Sequence, residues 1–166
     1  MNVKYRTDFV TNSSSSNYIT VNIYGRGINL GFNHDSDCAG YHMFYLKDVR
    51  NKLSKATSTD EVADILSKAV GPGYNESFVG NDDFDSFIQS VREVGDVSKL
   101  GVLHASCSND GSGDGYENCD ETDLKYDFKE RKGTFSEATK MDGEVTYSGD
   151  PFLNDDGEEC DPFGWE

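Results

Sequence analysis

A block of helical periodicity set between two blocks of strand alternation constrains this chain most. Residues 17–25, NYITVNIYG, place Ile19, Val21 and Ile23 at every second position with polar residues between them, the period of a strand with one buried face. KLGVLHASCS repeats the pattern through Leu103, Ala105 and Cys107, and DLKYDFKER alternates Leu124, Tyr126 and Phe128 with Lys125, Asp127 and Lys129. Between these blocks the period changes. Leu46, Val49, Leu53 and Ala56 make a short amphipathic stretch, and Ser58 and Glu61 stand at capping-box spacing ahead of Val62, Ile65, Leu66, Ala69 and Val70. Gly71, Pro72 and Gly73 end that helix, and Asn81 or Asp82 caps a third with Phe84, Phe87, Ile88, Val91 and Val94 on one face. Strands before and after three helices predict an α+β domain, with the helices packed on a mainly antiparallel sheet.

The remaining segments complete the expectation. Val3, Tyr5 and Phe9 suggest a strand at the amino terminus, and Arg131 to Thr134 turn into a short strand, TFSEATK. Residues 29–42, NLGFNHDSDCAGYH, read as an irregular loop, because glycines interrupt the alternation. Beyond Met141 the chain is turn formers and acids, with Val145, Tyr147, Phe152, Leu153, Phe163 and Trp165 as its apolar anchors. At 166 residues the chain fits one domain, expected at residues 1–140, followed by an irregular acidic extension at 141–166.

Charge narrows the function classes. Residues 1–100 carry ten basic and thirteen acidic side chains, net −3, whereas residues 101–166 carry five basic and eighteen acidic ones, net −13. The last 26 residues hold nine acids and no Lys or Arg. Such a surface repels phosphate and steers basic grooves toward itself, which argues against direct binding to DNA or RNA. The amino terminus is charged where a signal peptide needs an apolar run, and no stretch reaches membrane-spanning length, so a cytoplasmic protein with no membrane partner is expected. Cys38, Cys107, Cys119 and Cys160 form no CxxC pair and read as reduced thiols.

Two segments have metal-ligand spacing. Residues 110–121, DGSGDGYENCDE, put Asp110, Ser112, Asp114 and Glu121 at positions one, three, five and twelve of a calcium loop, with Gly115 at the sharp turn. Against that, Glu117 occupies the normally apolar eighth position, and the flanks read as strands; a flexible acidic hairpin loop is the simpler reading. His34, Cys38 and His42 recur every four residues and would share one face of a helix as zinc ligands, although Gly40 opposes that helix. Catalytic patterns are weaker. His104 and Cys107 lie three apart in a strand and point to opposite faces, and no GxSxG, HExxH or Walker A string occurs. No cofactor is expected.

The serine run in RTDFVTNSSSSNYI, residues 6–19, lies between two strand-like segments, has no glycines and opens no helix, so it reads as a connection and not as a phosphate cradle. That string resembles the amino-terminal signature of small uncharacterised proteins of Firmicutes bacteria and of their phages and mobile elements. The resemblance spans about 20 residues. It implies a genomic setting in which small acidic inhibitors of host defence occur, anti-CRISPR proteins among them.

Charge and resemblance together lead to an expected function: a non-enzymatic DNA mimic that occupies a basic nucleic-acid-binding protein such as a Cas nuclease. The expected contact residues are Asp110, Asp114, Glu117, Asp120, Glu121 and Asp123, then Asp150, Asp155, Asp156, Glu158, Glu159, Asp161 and Glu166, with Phe152, Phe163 and Trp165 as anchors. The alternative is a calcium- or zinc-binding module.

Overall fold

The computed structural model describes residues 15–37, 43–71, 82–113 and 116–164. Strands β1 (Ser15–Gly25) and β2 (Ile28–Asp37) form a hairpin. A short ladder, β3 (Met43–Phe44) with β4 (Val70–Gly71), brackets helices α1 (Val49–Leu53) and α2 (Thr59–Lys68). Helix α3 (Asp82–Val94) and a 3-10 turn at Val97–Lys99 lead into β5 (Val102–Gly113), β6 (Tyr116–Asp127), β7 (Lys132–Met141) and β8 (Glu144–Gly149). Six strands build one antiparallel sheet in the order β2-β1-β5-β6-β7-β8, with the helices on one side: the α+β architecture expected.

Register divides the side chains between two faces, because successive strand residues point opposite ways. Ile19, Val21, Ile23, Leu103, Ala105, Leu124 and Tyr126 are at most 1% exposed and share the core with Val62, Leu66, Phe84 and Val91 of the helices. Each buried Val, Ile, Leu or Phe side chain among them contributes about 1.5–3 kcal/mol. Phe32 of β2 meets Phe84 of α3 edge-on at 5.2 Å, which fixes α3 against that strand. At the start of β5, a Cβ on Gly101 would lie 1.9 Å from the Tyr24 carbonyl oxygen, so only glycine lets β5 enter beside β1.

Among the described residues, two hairpin turns of two residues show their backbone geometry. Arg26 and Gly27 have φ of 57° and 82°, and Asp142 and Gly143 have 50° and 83°. Positive φ at both positions gives the type I′ turn, whose twist matches the flanking strands.

Helix ends follow their local chemistry. The Ser58 hydroxyl accepts the Glu61 N–H at 3.1 Å, while the Glu61 carboxylate accepts the Thr57 N–H at 2.6 Å, one residue earlier than in the usual capping box. Arg131, at the β6–β7 turn, donates to the carbonyls of Ser54 and Ala56 at 2.8 and 3.3 Å and so ties the end of α1 to the sheet.

Two expectations are corrected. Residues 28–37 form a strand, not a loop, at the end of the sheet order among the described residues: Leu30, Phe32 and His34 alternate with the exposed Asn29, Gly31 and Asn33. Glu144–Gly149, within the stretch expected to be irregular, is strand β8, held to β7 by the Asp142–Gly143 turn. The strand expected at residues 3–9 lies outside the described residues, as does the serine run up to Ser14. No helix among the described residues is long and apolar enough to cross a membrane.

Candidate functional site

The sheet face away from the helices is polar, and two features of it bear on function. The first is a row of paired side chains at its centre. Register sets Thr20, Ser106, Asp123 and Ser136 side by side across four strands, and Asn22, His104, Lys125 and Thr134 in the next row on that face. His104 Nε2 lies 2.6 Å from Asp123 Oδ1, and the Ser106 hydroxyl donates to the same oxygen at 2.8 Å. Burial pulls the Asp123 carboxyl upward, but the hydrogen bond and charge of His104, with Ser106 and Lys125, outweigh it and hold the group below the ordinary carboxylate range. In a Ser-His-Asp relay the imidazole stands between hydroxyl and carboxylate. Here one imidazole nitrogen, Nε2, faces both the carboxylate at 2.6 Å and the Ser106 hydroxyl at 3.5 Å, and that hydroxyl donates to the carboxylate, so the three groups form a closed cluster that ties strands β5 and β6 together. One row further along, the Ser108 hydroxyl donates to Glu121 at 2.5 Å.

The second feature is the segment after β8. Asp150 donates its N–H to the Phe135 carbonyl at 2.7 Å, and its carboxylate accepts both the Phe135 N–H at 2.9 Å and Arg50 Nη1 of α1 at 2.7 Å. The chain then folds into a small hairpin. The Cys160 N–H donates to the Phe152 carbonyl, Leu153 bridges Glu159, and the Asn154 side-chain oxygen accepts the N–H groups of Asp156 and Glu158 at 3.0 and 2.9 Å. Beyond the hairpin, Phe163 is 6% exposed and packs with Cys119 and Ala138, with Phe152 against them. Asp155, Asp156, Glu158, Glu159 and Asp161 all stay exposed around this anchor.

The expected contact acids therefore divide by role. Asp155, Asp156, Glu158, Glu159 and Asp161 are exposed residues, and Asp161 also accepts the Phe163 N–H at 2.9 Å and a hydrogen bond from the Tyr147 side chain of β8. Asp123, Asp150 and Glu121 face partners within the fold. Asp120 is half-buried on β6 opposite Asn109. Asp110 lies opposite Cys119, and Ser112 opposite Glu117, near the end of the β5–β6 hairpin. Asp114, Trp165 and Glu166 lie outside the described residues.

The calcium-loop spacing falls on that extended hairpin, with Glu121 bonded to Ser108 two residues before Asp110. Of the zinc-spaced residues, His34 sits on strand β2 stacked on Phe32, with ring centroids 6.5 Å apart; Cys38 and His42 lie outside the described residues. Among the described residues, no three His, Cys, Asp or Glu side chains converge as a metal site would require. His104 and Cys107 point to opposite faces, as their spacing requires: Cys107 belongs to the helix-covered core, and burial pushes its thiol up to about 11.

Sequence reasoning missed Ser106 and the convergence of His104 on Asp123. Alternation puts His104, Ser106 and Ser108 on one face, but their partners follow only from the register of the β5–β6 hairpin. The chain has no significant match to any protein-family model, curated protein or solved structure.

Proposed function

We propose that the chain is a non-enzymatic acidic binding protein, encoded by a phage or mobile element, that blocks the basic groove of a nucleic-acid-binding host-defence protein in the manner of an anti-CRISPR DNA mimic. One observation carries this reading: five exposed carboxylates on and beside a hairpin that is ordered by Asn154 and anchored by buried Phe163, within a 26-residue segment free of Lys and Arg. Charge presented on a fixed scaffold loses less conformational freedom on binding than charge on a loose tail. The amino-terminal resemblance supports the genomic setting, and a Cas nuclease is one partner with the required groove.

The test is capture of host proteins by wild type and by a variant carrying Asp155→Asn, Asp156→Asn, Glu158→Gln and Glu159→Gln. Basic nucleic-acid-binding proteins retained by wild type, displaced by competing duplex DNA and lost with the variant, are the expected result. Equal retention by both chains would overturn the proposal.

A further inference from the structure

We propose that β8 is a self-complementary edge through which two copies of the chain join their sheets. Strand β8 ends the sheet order among the described residues and is hydrogen-bonded there to β7 alone. All six of its residues are exposed, with Val145 at 38% and Tyr147 at 58% among them, so its outer side is open to another strand. The acidic hairpin is seated further in, because its Phe163 packs on Cys119 of β6 and Ala138 of β7. Its Asp161 engages the Tyr147 side chain and not the Tyr147 backbone.

Register fixes which backbone groups point outward. The two-residue turn at Asp142–Gly143 makes Met141 and Glu144 the first hydrogen-bonded pair of the hairpin, and such pairs alternate along an antiparallel ladder. Glu144, Thr146 and Ser148 therefore turn their amides and carbonyls to β7, while Val145 and Tyr147 turn theirs away from it. Edge strands are usually blunted by lysine, proline or a bulge, yet EVTYSG has neither residue and its pairing to β7 runs without interruption. Its one charge, Glu144, stands at the end next to the turn.

The sequence of β8 names the occupant, because the strand pairs with itself. Antiparallel pairing centred on Thr146 sets Val145 opposite Tyr147 of the second copy, Thr146 opposite its own counterpart and Glu144 opposite Ser148. Aromatic with β-branched and threonine with threonine are favourable cross-strand pairs, and the outward groups of Val145 and Tyr147 supply the backbone bonds. The two Glu144 side chains then lie four residues apart along the strands, roughly 14 Å, beyond the screening length of about 8 Å at physiological salt. A slip by one residue would put the apolar side chains of the two copies on opposite faces. The product is a continuous sheet of twelve strands, six from each copy, with both acidic hairpins on the same face. Each chain carries net charge −16, and a five-residue ladder is small beside the roughly 1,200 Å² of a stable interface, so the dimer is weak and strengthened by salt.

Sedimentation equilibrium of the full chain between about 10 μM and about 1 mM tests the proposal. The mean mass should rise from one chain toward two, and added salt should lower Kd severalfold. Thr146→Lys sets two ammonium groups directly opposite each other and should raise Kd at least tenfold, although it reduces the net charge of the chain. Thr146→Glu should weaken association as much, and an equimolar mixture of the two variants should restore it, since unlike charges then face each other. Thr146 is exposed, so circular dichroism of both variants should match wild type. Val145→Pro removes an outward N–H while leaving the bonds to β7, and should abolish association; should it misfold, the mixing experiment decides. The variant neutralised at four hairpin acids should dimerise at least as tightly as wild type, which separates this proposal from the one on groove binding. The proposal is overturned if wild type remains a single chain at about 1 mM, if either Thr146 variant dimerises like wild type, or if the mixture associates no better than its components.

Discussion

His104 and Asp123 meet at 2.6 Å across the β5–β6 ladder, and the histidine is 3% exposed. The folded Asp123 carboxyl sits below the ordinary range, so its ionised form adds stability above about pH 4 and loses that contribution as pH falls through the lower folded value. Asp123→Asn should cost roughly 1–3 kcal/mol at pH 7 and much less near pH 3. Urea unfolding of both proteins at the two pH values checks this; a difference that does not change with pH would refute it.

The Arg50–Asp150 pair is a tie of a different kind. At 37% and 40% exposure its coupling should be about 0.2–1 kcal/mol in a double-mutant cycle, and smaller still in high salt. Asp150→Ala should nevertheless cost more than Arg50→Ala, because Asp150 also accepts the Phe135 N–H. Equal single-variant losses in thermal unfolding would contradict this.

Kinetics separate charge from anchoring in the proposed inhibitor. Neutralising Asp155, Asp156, Glu158 and Glu159 should slow association with a basic partner at least tenfold at low salt, with the gap closing as ionic strength rises. Phe163→Ala should act through dissociation, because the hairpin loses its buried anchor on Cys119 and Ala138. Surface plasmon resonance at two salt concentrations reads both effects. An association rate for the neutralised variant equal to wild type at low salt would remove the steering role.

Thiol reactivity offers an independent check on the two faces. Burial pushes the Cys107 thiol up to about 11; partial burial and the charge of Asp123 raise the Cys160 thiol too, but Cys160 is exposed at the end of the acidic hairpin. Iodoacetamide at pH 8 should label Cys160 in the native protein and reach Cys107 only in denaturant. Peptide mass spectrometry distinguishes them, and native labelling of Cys107 would contradict its burial in the core.

Much of the fold was legible because strand alternation and helical period are written in apolar residues. Ile19, Val21 and Ile23 mark β1, the Phe84–Val91 stripe marks α3, and Ser58 caps α2. Strands β2 and β8 were harder to read: Gly27 and Gly31 disguise the alternation of Leu30 and Phe32 as loop, and β8 buries none of its residues. Asp142–Gly143 is a strong hairpin signal in itself, but the acids around it favour a reading as unstructured chain. At the site, the exposed carboxylates could be counted from sequence, whereas the internal engagement of Asp123 and Asp150 could not. Both depend on pairings fixed by register and by helix placement, information held by the whole fold.

Strand order carries a kinetic consequence. Every ladder of the six-stranded sheet joins strands consecutive in the chain except β1–β5, where Ser15 pairs with Gly111 and Tyr24 with Val102. The β1–β2 hairpin and the β5–β8 meander are local structures that form quickly, but the sheet becomes one body only when the intervening helical segment has closed as a loop. Formation of the joint between them is therefore the expected rate-limiting event of folding. Truncations there, such as Val21→Ala, should slow refolding in stopped-flow measurements, whereas truncations confined to β7 and β8 should mainly speed unfolding.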